Sequence, residues 1–230
     1  MLGLLYATFT VAWSAVGWLL TRPLRNSFIV HSDQSISEWL ADRRTSTMNS
    51  LTSVGSMMSD TTVKVVLTAV IAIAMLIFWK RWLEPLMVVI PLVLEALTFI
   101  TVTALVGRPR PDVPRLETSP VDSSYPSGHM AAAVAYSAIV VVVFWHTRRR
   151  WIRVLAVAVC VFVPLCVGYS RLYRGMHYLS DVVFGAFLGG ASVIATAILL
   201  RRTADEHPEE VNSAEHPVDL RPMSAEPIAR

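Results

Sequence analysis

The sequence predicts an all-α membrane protein built as a bundle of six transmembrane helices. Of its 230 residues, 54% are hydrophobic and 16% are charged, whereas about 25% of the residues are charged in a typical soluble domain. The mean hydropathy is +0.52, and six apolar stretches approach the roughly 20 residues that a helix needs to cross a bilayer. These observations exclude a soluble enzyme, a disordered chain and a fibrous protein.

We assign the six spans to one membrane domain, residues 1–200. The predicted spans cover residues 1–21, 61–79, 84–107, 128–146, 152–170 and 182–200. The first stretch lacks a preceding basic segment and a small-residue cleavage site, so we expect it to be retained as a span. Residues 22–60 are polar to amphipathic, with Ile36, Trp39 and Leu40 at helical spacing. Both a helix lying on the membrane surface and an ordinary loop helix fit this segment.

The basic residues predict the orientation of the bundle. Three groups follow the second, fourth and sixth spans: Lys80 and Arg81; Arg148, Arg149, Arg150 and Arg153; Arg201 and Arg202. Because basic residues in short loops favour the cytoplasm, both termini are predicted to be cytoplasmic. Residues 22–60, 108–127 and 171–181 then form an outward interfacial region. The acidic, proline-containing composition of residues 201–230 predicts a disordered cytoplasmic tail.

The net charge and the cysteine content limit the kinds of molecule that the protein is expected to bind. The net charge is +3, and no basic run alternates with aromatic residues, which argues against nucleic-acid binding. Cys160 and Cys166 are six residues apart in an apolar run, so they face different sides of a helix and cannot form a disulfide. The chain has no zinc or iron–sulfur spacing. The membrane bilayer and a lipid are therefore the expected partners.

Three polar motifs lie at the ends of predicted spans, all on the outward side. They read Gly-Arg-Pro-Arg-Pro at residues 107–111, Tyr-Pro-Ser-Gly-His at residues 125–129, and Ser170-Arg171 followed by His177 and Asp181. Arginine offers a planar fork of donors that binds phosphate oxygens in pairs, and the start of a helix near Ser127 adds free N–H groups. The motifs together predict an anion-binding site at the outer membrane surface.

His177 and Asp181 have the spacing of a base and the residue that orients it. They are four residues apart, so on a helix they share one face. The carboxylate is then expected to accept a hydrogen bond from one ring nitrogen and to leave the other nitrogen free to react.

The chain resembles the type 2 phosphatidic acid phosphatase superfamily of membrane lipid phosphatases. The family pattern is Lys-x6-Arg-Pro, then Pro-Ser-Gly-His, then Ser-Arg-x5-His-x3-Asp. The matching residues here are Arg108-Pro109, Pro126-Ser127-Gly128-His129, and Ser170-Arg171 with His177 and Asp181. The resemblance extends from the second span to the sixth, and it implies the six-helix fold of that family.

The resemblance also implies catalytic roles. His177 is expected to attack phosphorus and form a phosphohistidine, and Asp181 to hold its tautomer. His129 is expected to protonate the leaving oxygen. The residues expected to bind the phosphate oxygens are Arg108, Ser127, the Gly128 amide, Ser170 and Arg171. No metal and no other cofactor is implied.

The first motif departs from the family pattern. The family lysine falls at Thr101, and moving the motif to Arg110 places Thr103 there instead. Thr101 is expected to give one hydrogen bond to phosphate but no charge. The basic residues available to replace that charge are Lys64, Arg110, Arg115 and Arg174, and replacement is favoured over simple loss. Glu95, midway along the third span, fits either a structural hydrogen-bonding group or the lipid-entry path, and the structural role is favoured.

The expected function is dephosphorylation of a lipid phosphate or diphosphate at the extracytoplasmic face of the cell membrane. Polyprenyl diphosphate, such as undecaprenyl or decaprenyl diphosphate, is favoured over phosphatidylglycerol phosphate and phosphatidate. Two alternatives remain: a lipid phosphotransferase that uses the same histidine, and a non-catalytic lipid-phosphate-binding protein whose site has degraded. An oligomer is not indicated by the sequence.

Overall fold

The computed structural model describes residues 1–58, 60–119 and 121–206. Throughout these residues the regular elements are helices. They are α1 (Leu2–Thr21), α2 (Phe28–Asp42), α3 (Ser46–Met57), α4 (Thr61–Trp79), α5 (Leu83–Val106), α6 (Gly128–Ala135), α7 (Ala138–His146), α8 (Arg150–Tyr173) and α9 (Leu179–Glu206). The prediction of an all-α fold is confirmed.

Six helical segments in the described part of the chain are long and apolar enough to cross a membrane. They are α1, α4, α5, α6 together with α7, α8, and α9, in agreement with the six predicted spans. The fourth span is interrupted by a turn at Tyr136 and Ser137. Helix α9 continues to Glu206, six residues into the segment predicted to be disordered, and the rest of that segment, residues 207–230, lies outside the described residues.

Helix α5 is the most buried span and packs against α1, α4, α6, α7 and α9. Its side chains Met87 and Val88 are fully buried against Ala132, Ala135 and Val142 of the fourth span. The alanines let the two backbones approach closely, as in many helix pairs within membranes. This packing fixes the ends of α5 and α6, from which two of the motifs emerge.

Helices α6 and α9 touch through two glycines of α9. A Cβ atom added at Gly185 would collide with the carbonyl oxygen of Ser127, and one added at Gly189 would collide with that of Ala131. Glycine is required at both positions because the backbones are in direct contact. The contact brings the N-terminus of α6 beside the N-terminus of α9, so the second and third motifs meet.

Helices α2 and α3 lie between the first two spans. The side of α2 that faces the bundle carries Asp33, Ser37 and Leu40, whereas Trp39 is 54% exposed. Of the sequence pattern of Ile36, Trp39 and Leu40, Leu40 alone is buried, Ile36 is partly buried and Trp39 is exposed. Polar side chains form that face because, as described below, it covers charged groups at the end of the bundle.

Candidate active site

The three motifs converge at one end of the bundle. The loop after α5, the N-terminus of α6 and the turn between α8 and α9 carry them. Gly175 makes that turn possible: its φ is +70°, and a Cβ there would collide with Val113. Because glycine adopts this left-handed conformation at low cost, the chain reverses at once after α8 and places His177 just before α9.

His177 is buried and held by a backbone carbonyl. Its Nδ1 lies 2.6 Å from the carbonyl oxygen of Ser124, and the residue is 3% exposed. A carbonyl only accepts hydrogen bonds, so Nδ1 carries the hydrogen and Nε2 keeps its lone pair. Burial lowers the pKa of His177 well below its ordinary value, and the positive charges of Arg171 and Arg110 lower it further. The imidazole is therefore neutral at physiological pH.

Asp181 does not form the expected pair with His177. Its Oδ1 accepts a hydrogen bond of 2.5 Å from Nη1 of Arg108, and its Oδ2 accepts one of 2.9 Å from the backbone N–H of Tyr178. The helical-spacing argument was wrong here because α9 begins at Leu179, so His177 precedes the helix and the two residues do not share a helical face.

Arg108 is enclosed by two carboxylates. Besides Asp181, it binds Asp33 of α2 through Nη2 at 3.0 Å, and it lies over the ring of Tyr178. Burial alone would lower the pKa of Arg108, but Asp181 and Asp33 outweigh burial and raise it. Both terminal nitrogens are thus engaged by protein carboxylates, an arrangement that differs from the open phosphate-binding role expected from the motif.

His129 lies at the first turn of α6 and contacts Asp60, which directly precedes α4. The distance from Nε2 to Oδ1 is 3.1 Å. The His129 side chain is 26% exposed, so it lies at the rim of the site rather than inside it. Because a carboxylate accepts hydrogen bonds, this geometry places a hydrogen on Nε2 of His129.

Arg171 is fixed by residues from two other segments. Its Nη1 donates to the hydroxyl of Ser56 on α3 at 2.6 Å and to Oε2 of Glu117 in the loop after α5 at 2.6 Å. The other oxygen of Glu117 lies 2.5 Å from Nε of Arg174. Burial alone would raise the pKa of Glu117, but Arg171, the Ser56 hydroxyl and Arg174 outweigh burial and lower it.

Arg110 is tied to the loop that it belongs to. It donates to the carbonyl oxygens of Met176, Val121 and Ser123 and to the hydroxyl of Ser119.

Burial lowers the pKa of Arg110 to about 10, and the charges of Arg171 and Arg115 contribute. The charges of Arg110 and Arg171 also depress the pKa of His177, and Arg110 donates to the carbonyl oxygen of Met176, the residue before His177.

Three buried polar atoms of the motif residues Arg110, Ser127 and Arg171 have no hydrogen-bond partner among the described residues. They are Nε of Arg110, Nε of Arg171 and Oγ of Ser127. Ser127 is also the N-cap residue of α6, whose first N–H groups have no acceptor within the helix. Buried donors normally have partners, so this set indicates a site for an anionic group.

The remaining residues expected at the site are engaged elsewhere. Thr101 pairs with the hydroxyl of Tyr6 on α1 at 2.7 Å. Lys64 binds Glu95 at 3.1 Å between α4 and α5, which agrees with a structural role for that carboxyl group. Ser170 donates to the carbonyl oxygen of Cys166.

The last two basic residues proposed to replace the lysine are also placed apart from the three unpartnered atoms. Arg115 is exposed. Arg174 donates to the carbonyl oxygens of Asn49 and Leu116. Arg110, one of the four suggested residues, exerts its charge on His177.

Four residues at this site were missed by the sequence analysis. They are Asp33, Asp60, Glu117 and Ser124. Asp60 had one available signal, its position directly before an apolar span. The other three stand in polar segments without periodic pattern, and Ser124 acts through its backbone carbonyl, which leaves no trace in the sequence.

Comparisons with known proteins give the family. A family model described as the PAP2 superfamily matches residues 86–204, just over half of the chain. An undecaprenyl-diphosphatase of Sulfolobus acidocaldarius is 39% identical over 74 residues, which is 32% of each chain. The bacitracin transport permease protein BcrC of Bacillus licheniformis is 30% identical over 84 residues, 36% of this chain and 37% of the relative. The chain thus matches about a third of the length of these relatives.

Solved structures show the same fold. A PAP2-type phosphatidylglycerolphosphate phosphatase of Bacillus subtilis superposes with a TM-score of 0.74 at 20% identity, over 84% of this chain and 96% of the other. LpxE of Aquifex aeolicus gives a TM-score of 0.56 at 23% identity, over 71% and 93% of the two chains. The family match and the shared six-helix architecture agree with the three motifs, and the chain belongs to the PAP2 superfamily of membrane lipid phosphatases.

Proposed function

We propose that the protein removes phosphate from a membrane lipid phosphate or diphosphate, without a metal, through a phosphohistidine at His177. The observation that carries the proposal is the state of the His177 ring. Its Nδ1 is held by the Ser124 carbonyl at 2.6 Å. Arg110 and Arg171, whose charges act on the ring, each have an Nε without a partner in the described chain. A neutral imidazole beside a buried anion site is suited to attack phosphorus.

In the first step Nε2 of His177 forms a bond to phosphorus while the bond from phosphorus to the leaving oxygen breaks. His129 supplies the proton that the leaving oxygen takes up. Its Nε2 hydrogen is held by Asp60 at 3.1 Å, and the leaving oxygen competes with that carboxylate for it. In the second step a water molecule attacks phosphorus and gives a proton to His129, which gave one up in the first step. The bond from phosphorus to Nε2 of His177 breaks, phosphate is released, and both histidines return to their starting forms.

The equatorial oxygens of the transition state are stabilised by Arg110, Arg171, Ser127 and the Gly128 amide at the N-terminus of α6. Their unpartnered donors are already in place before substrate binds, and such preorganised donors act on the charge that develops in the transition state. Arg110 supplies the positive charge that the missing motif lysine would provide. Arg108 and Asp181 support this arrangement from behind and do not contact the phosphate.

Polyprenyl diphosphate is the favoured substrate, and the site faces the extracytoplasmic side. Support for the lipid comes from the relative described as an undecaprenyl-diphosphatase. Support for the orientation comes from the basic residues that follow the second, fourth and sixth spans, because such residues favour the cytoplasm. The convergent motifs lie at the opposite ends of those spans.

The test is phosphate release by the purified protein in detergent with a chelator present. Undecaprenyl diphosphate, phosphatidylglycerol phosphate and phosphatidate are compared, each with wild type, His177→Asn and the control His31→Asn. His31 is an exposed residue of α2. We expect release from at least one lipid, loss of release in His177→Asn, and no loss in His31→Asn.

Two further results would replace the proposal. Release that requires added lipid or alcohol acceptor, with phosphate found on that acceptor, would identify a phosphotransferase. Binding of the lipids without any release by folded protein would identify a lipid-phosphate-binding protein. Acid-labile and base-stable labelling of the protein by substrate phosphorus, absent in His177→Asn, would directly support the phosphohistidine.

A further inference from the structure

Asp33 contributes a second carboxylate to the base of the candidate site. It is 3% exposed and comes from α2, a segment outside the residues 86–204 that match the family. Its Oδ1 accepts a hydrogen bond of 3.0 Å from the backbone N–H of Ser180, and its Oδ2 accepts from the Ser180 hydroxyl at 2.5 Å and from Arg108 at 3.0 Å. Asp33 therefore binds the first turn of α9 and Arg108 together.

Hydrogen bonds connect Arg108 to Ser124 and, through Ser124, to His177. The carbonyl oxygen of Arg108 accepts a hydrogen bond of 2.8 Å from the N–H of Ser124, and the Ser124 side chain interacts with Asp181. The carbonyl of Ser124 in turn holds Nδ1 of His177. A continuous set of buried polar contacts thus runs from Asp33 through Arg108 and Ser124 to the ring.

The charges in this cluster do not cancel. Two carboxylates, Asp33 and Asp181, pair with one guanidinium group, Arg108, so the cluster has one carboxylate more than Arg108 can neutralise, and this carboxylate offsets part of the positive charge that Arg171 and Arg110 exert on His177. When Nε2 bonds to phosphorus while Nδ1 keeps its hydrogen, the imidazole ring becomes cationic. A buried negative charge stabilises that cation, and the effect is strong because burial reduces dielectric screening.

We propose that Asp33 is a positioning residue that acts through Arg108 and Ser124 to stabilise the cationic, phosphorylated form of His177. This inference rests on the proposed phosphohistidine mechanism. It assigns a catalytic contribution to the outward helix α2, which touches neither substrate nor reacting atoms. The expected signature is a loss in the chemical step without a loss in ground-state binding.

The first experiment compares Asp33→Asn with the control Asp42→Asn, an exposed residue of the same helix. We expect kcat to fall about tenfold or more in Asp33→Asn, with KM changed less than about twofold, because the lost charge acts on the transition state. Asp42→Asn should leave both constants unchanged. An increase in KM with kcat retained would overturn the proposal.

A double-mutant cycle with Arg108→Gln tests whether Asp33 acts on His177 through Arg108. If Asp33 acts through Arg108, Asp33→Asn should lower kcat by less than about twofold in the Arg108→Gln background, because coupled residues give non-additive effects. Full additivity of the two losses would overturn the proposal and leave Asp33 as a docking residue for α2.

A binding experiment separates this inference from the proposed function. Orthovanadate forms five-coordinate adducts that resemble the phosphoryl transition state, whereas inorganic phosphate resembles the ground state. Asp33→Asn should weaken vanadate binding about tenfold and phosphate binding less than about twofold. If wild type hydrolyses no lipid yet shows this pattern, the proposed function fails and the role of Asp33 stands. Equal weakening of both anions would overturn it.

A second variant covers the case in which Asp33→Asn does not fold. Asp33→Glu keeps the negative charge, and thermal unfolding in detergent shows whether it folds. We expect folded Asp33→Glu to bind vanadate within about threefold of wild type, since the charge is retained. Loss of vanadate binding by this variant, with phosphate binding intact, would overturn the proposal.

Discussion

His177 and Ser124 are joined by a hydrogen bond of 2.6 Å although 53 residues separate them in the chain. The bond determines which ring nitrogen is free, because a backbone carbonyl cannot donate. In this chain the orienting group of the predicted nucleophile is therefore a main-chain atom, and the motif carboxylate Asp181 holds Arg108 instead.

The protonation state of His177 gives the first prediction. Burial and the charges of Arg171 and Arg110 lower its pKa well below the ordinary value of 6.5, so the ring should stay neutral as the pH falls through 6.5. ¹⁵N NMR of histidine-labelled protein in detergent, with His177→Gln for assignment, should show a ring that stays protonated at Nδ1 and neutral as the pH falls through 6.5. A titration midpoint near 6.5 would contradict the buried environment described above.

The two arginines around His177 give the second prediction. Arg110→Lys and Arg171→Lys keep a positive charge but remove the planar fork, so each should lower kcat about 100-fold. Arg115→Lys, at an exposed position in the same loop, is the matched control and should lower kcat less than about twofold. Equal losses in all three variants would mean that the loop, and not the two guanidinium groups, determines the rate.

Glu117 gives a prediction about stability and pH. Its pKa is lowered below the ordinary 4.5 by Arg171, the Ser56 hydroxyl and Arg174, against the opposing effect of burial. A carboxyl group with a lowered pKa in the folded state stabilises that state above its ordinary pKa, and the contribution is lost as the pH falls through the lowered value. At pH 7, Glu117→Gln should be destabilised by about 1 kcal/mol, a value reduced for its partial exposure.

The measurement for Glu117 is thermal unfolding in detergent at two pH values. The difference in Tm between wild type and Glu117→Gln should be present at pH 7 and should shrink as the pH falls from the ordinary pKa of 4.5 through the lowered value. Glu38→Gln, at an exposed position of α2, should show no such difference. A pH-independent difference would point to lost packing instead of lost charge.

The close contact of α6 and α9 gives the fourth prediction. Gly185→Ala places a methyl group against the Ser127 carbonyl, which forces the helices apart and should destabilise the protein by about 1–3 kcal/mol. Because the same shift moves Ser127 relative to His177, phosphate release should fall as well. Gly3→Ala, where nothing lies within 4 Å of the added Cβ, is the control and should change neither Tm nor rate.

Sidedness gives the fifth prediction. In a background of Cys160→Ala and Cys166→Ala, the variant Asp112→Cys places a single thiol at an exposed position of the loop after α5. We expect an impermeant maleimide to label it in intact cells, since the basic loops favour the opposite side. Labelling only after permeabilisation would reverse the orientation and place the site in the cytoplasm.

The sequence was sufficient for the fold because hydrophobic length and ordered motifs are local properties. All six spans could be located from composition alone, and the motifs gave the family. The hydrogen-bond and ion-pair partners of the motif residues could not be predicted from the sequence in the same way. Asp33 reaches Arg108 across 75 positions in the chain, and no periodicity marks a contact of that separation.

One error came from applying a helical rule beyond a helix. Four-residue spacing placed His177 and Asp181 on a common face, but the helix begins between them, at Leu179. The first motif leaves an ambiguity of another kind, because it contains two Arg-Pro pairs. Arg108 and Arg110 are equivalent in a pattern search, and only three-dimensional contacts separate the arginine enclosed by carboxylates from the one near His177.

The loop between α5 and α6 is held by arginines that donate to its main-chain carbonyls. Arg44 binds the carbonyl of Pro114, Arg174 that of Leu116, and Arg110 those of Val121 and Ser123. Because hydrogen bonds hold this loop at several points, it borders the site as a fixed segment and does not open and close over it. Under the proposed function, a lipid phosphate would then reach the histidines past the helices that border the site and not by displacing this loop, and selectivity among lipids would depend on those helices.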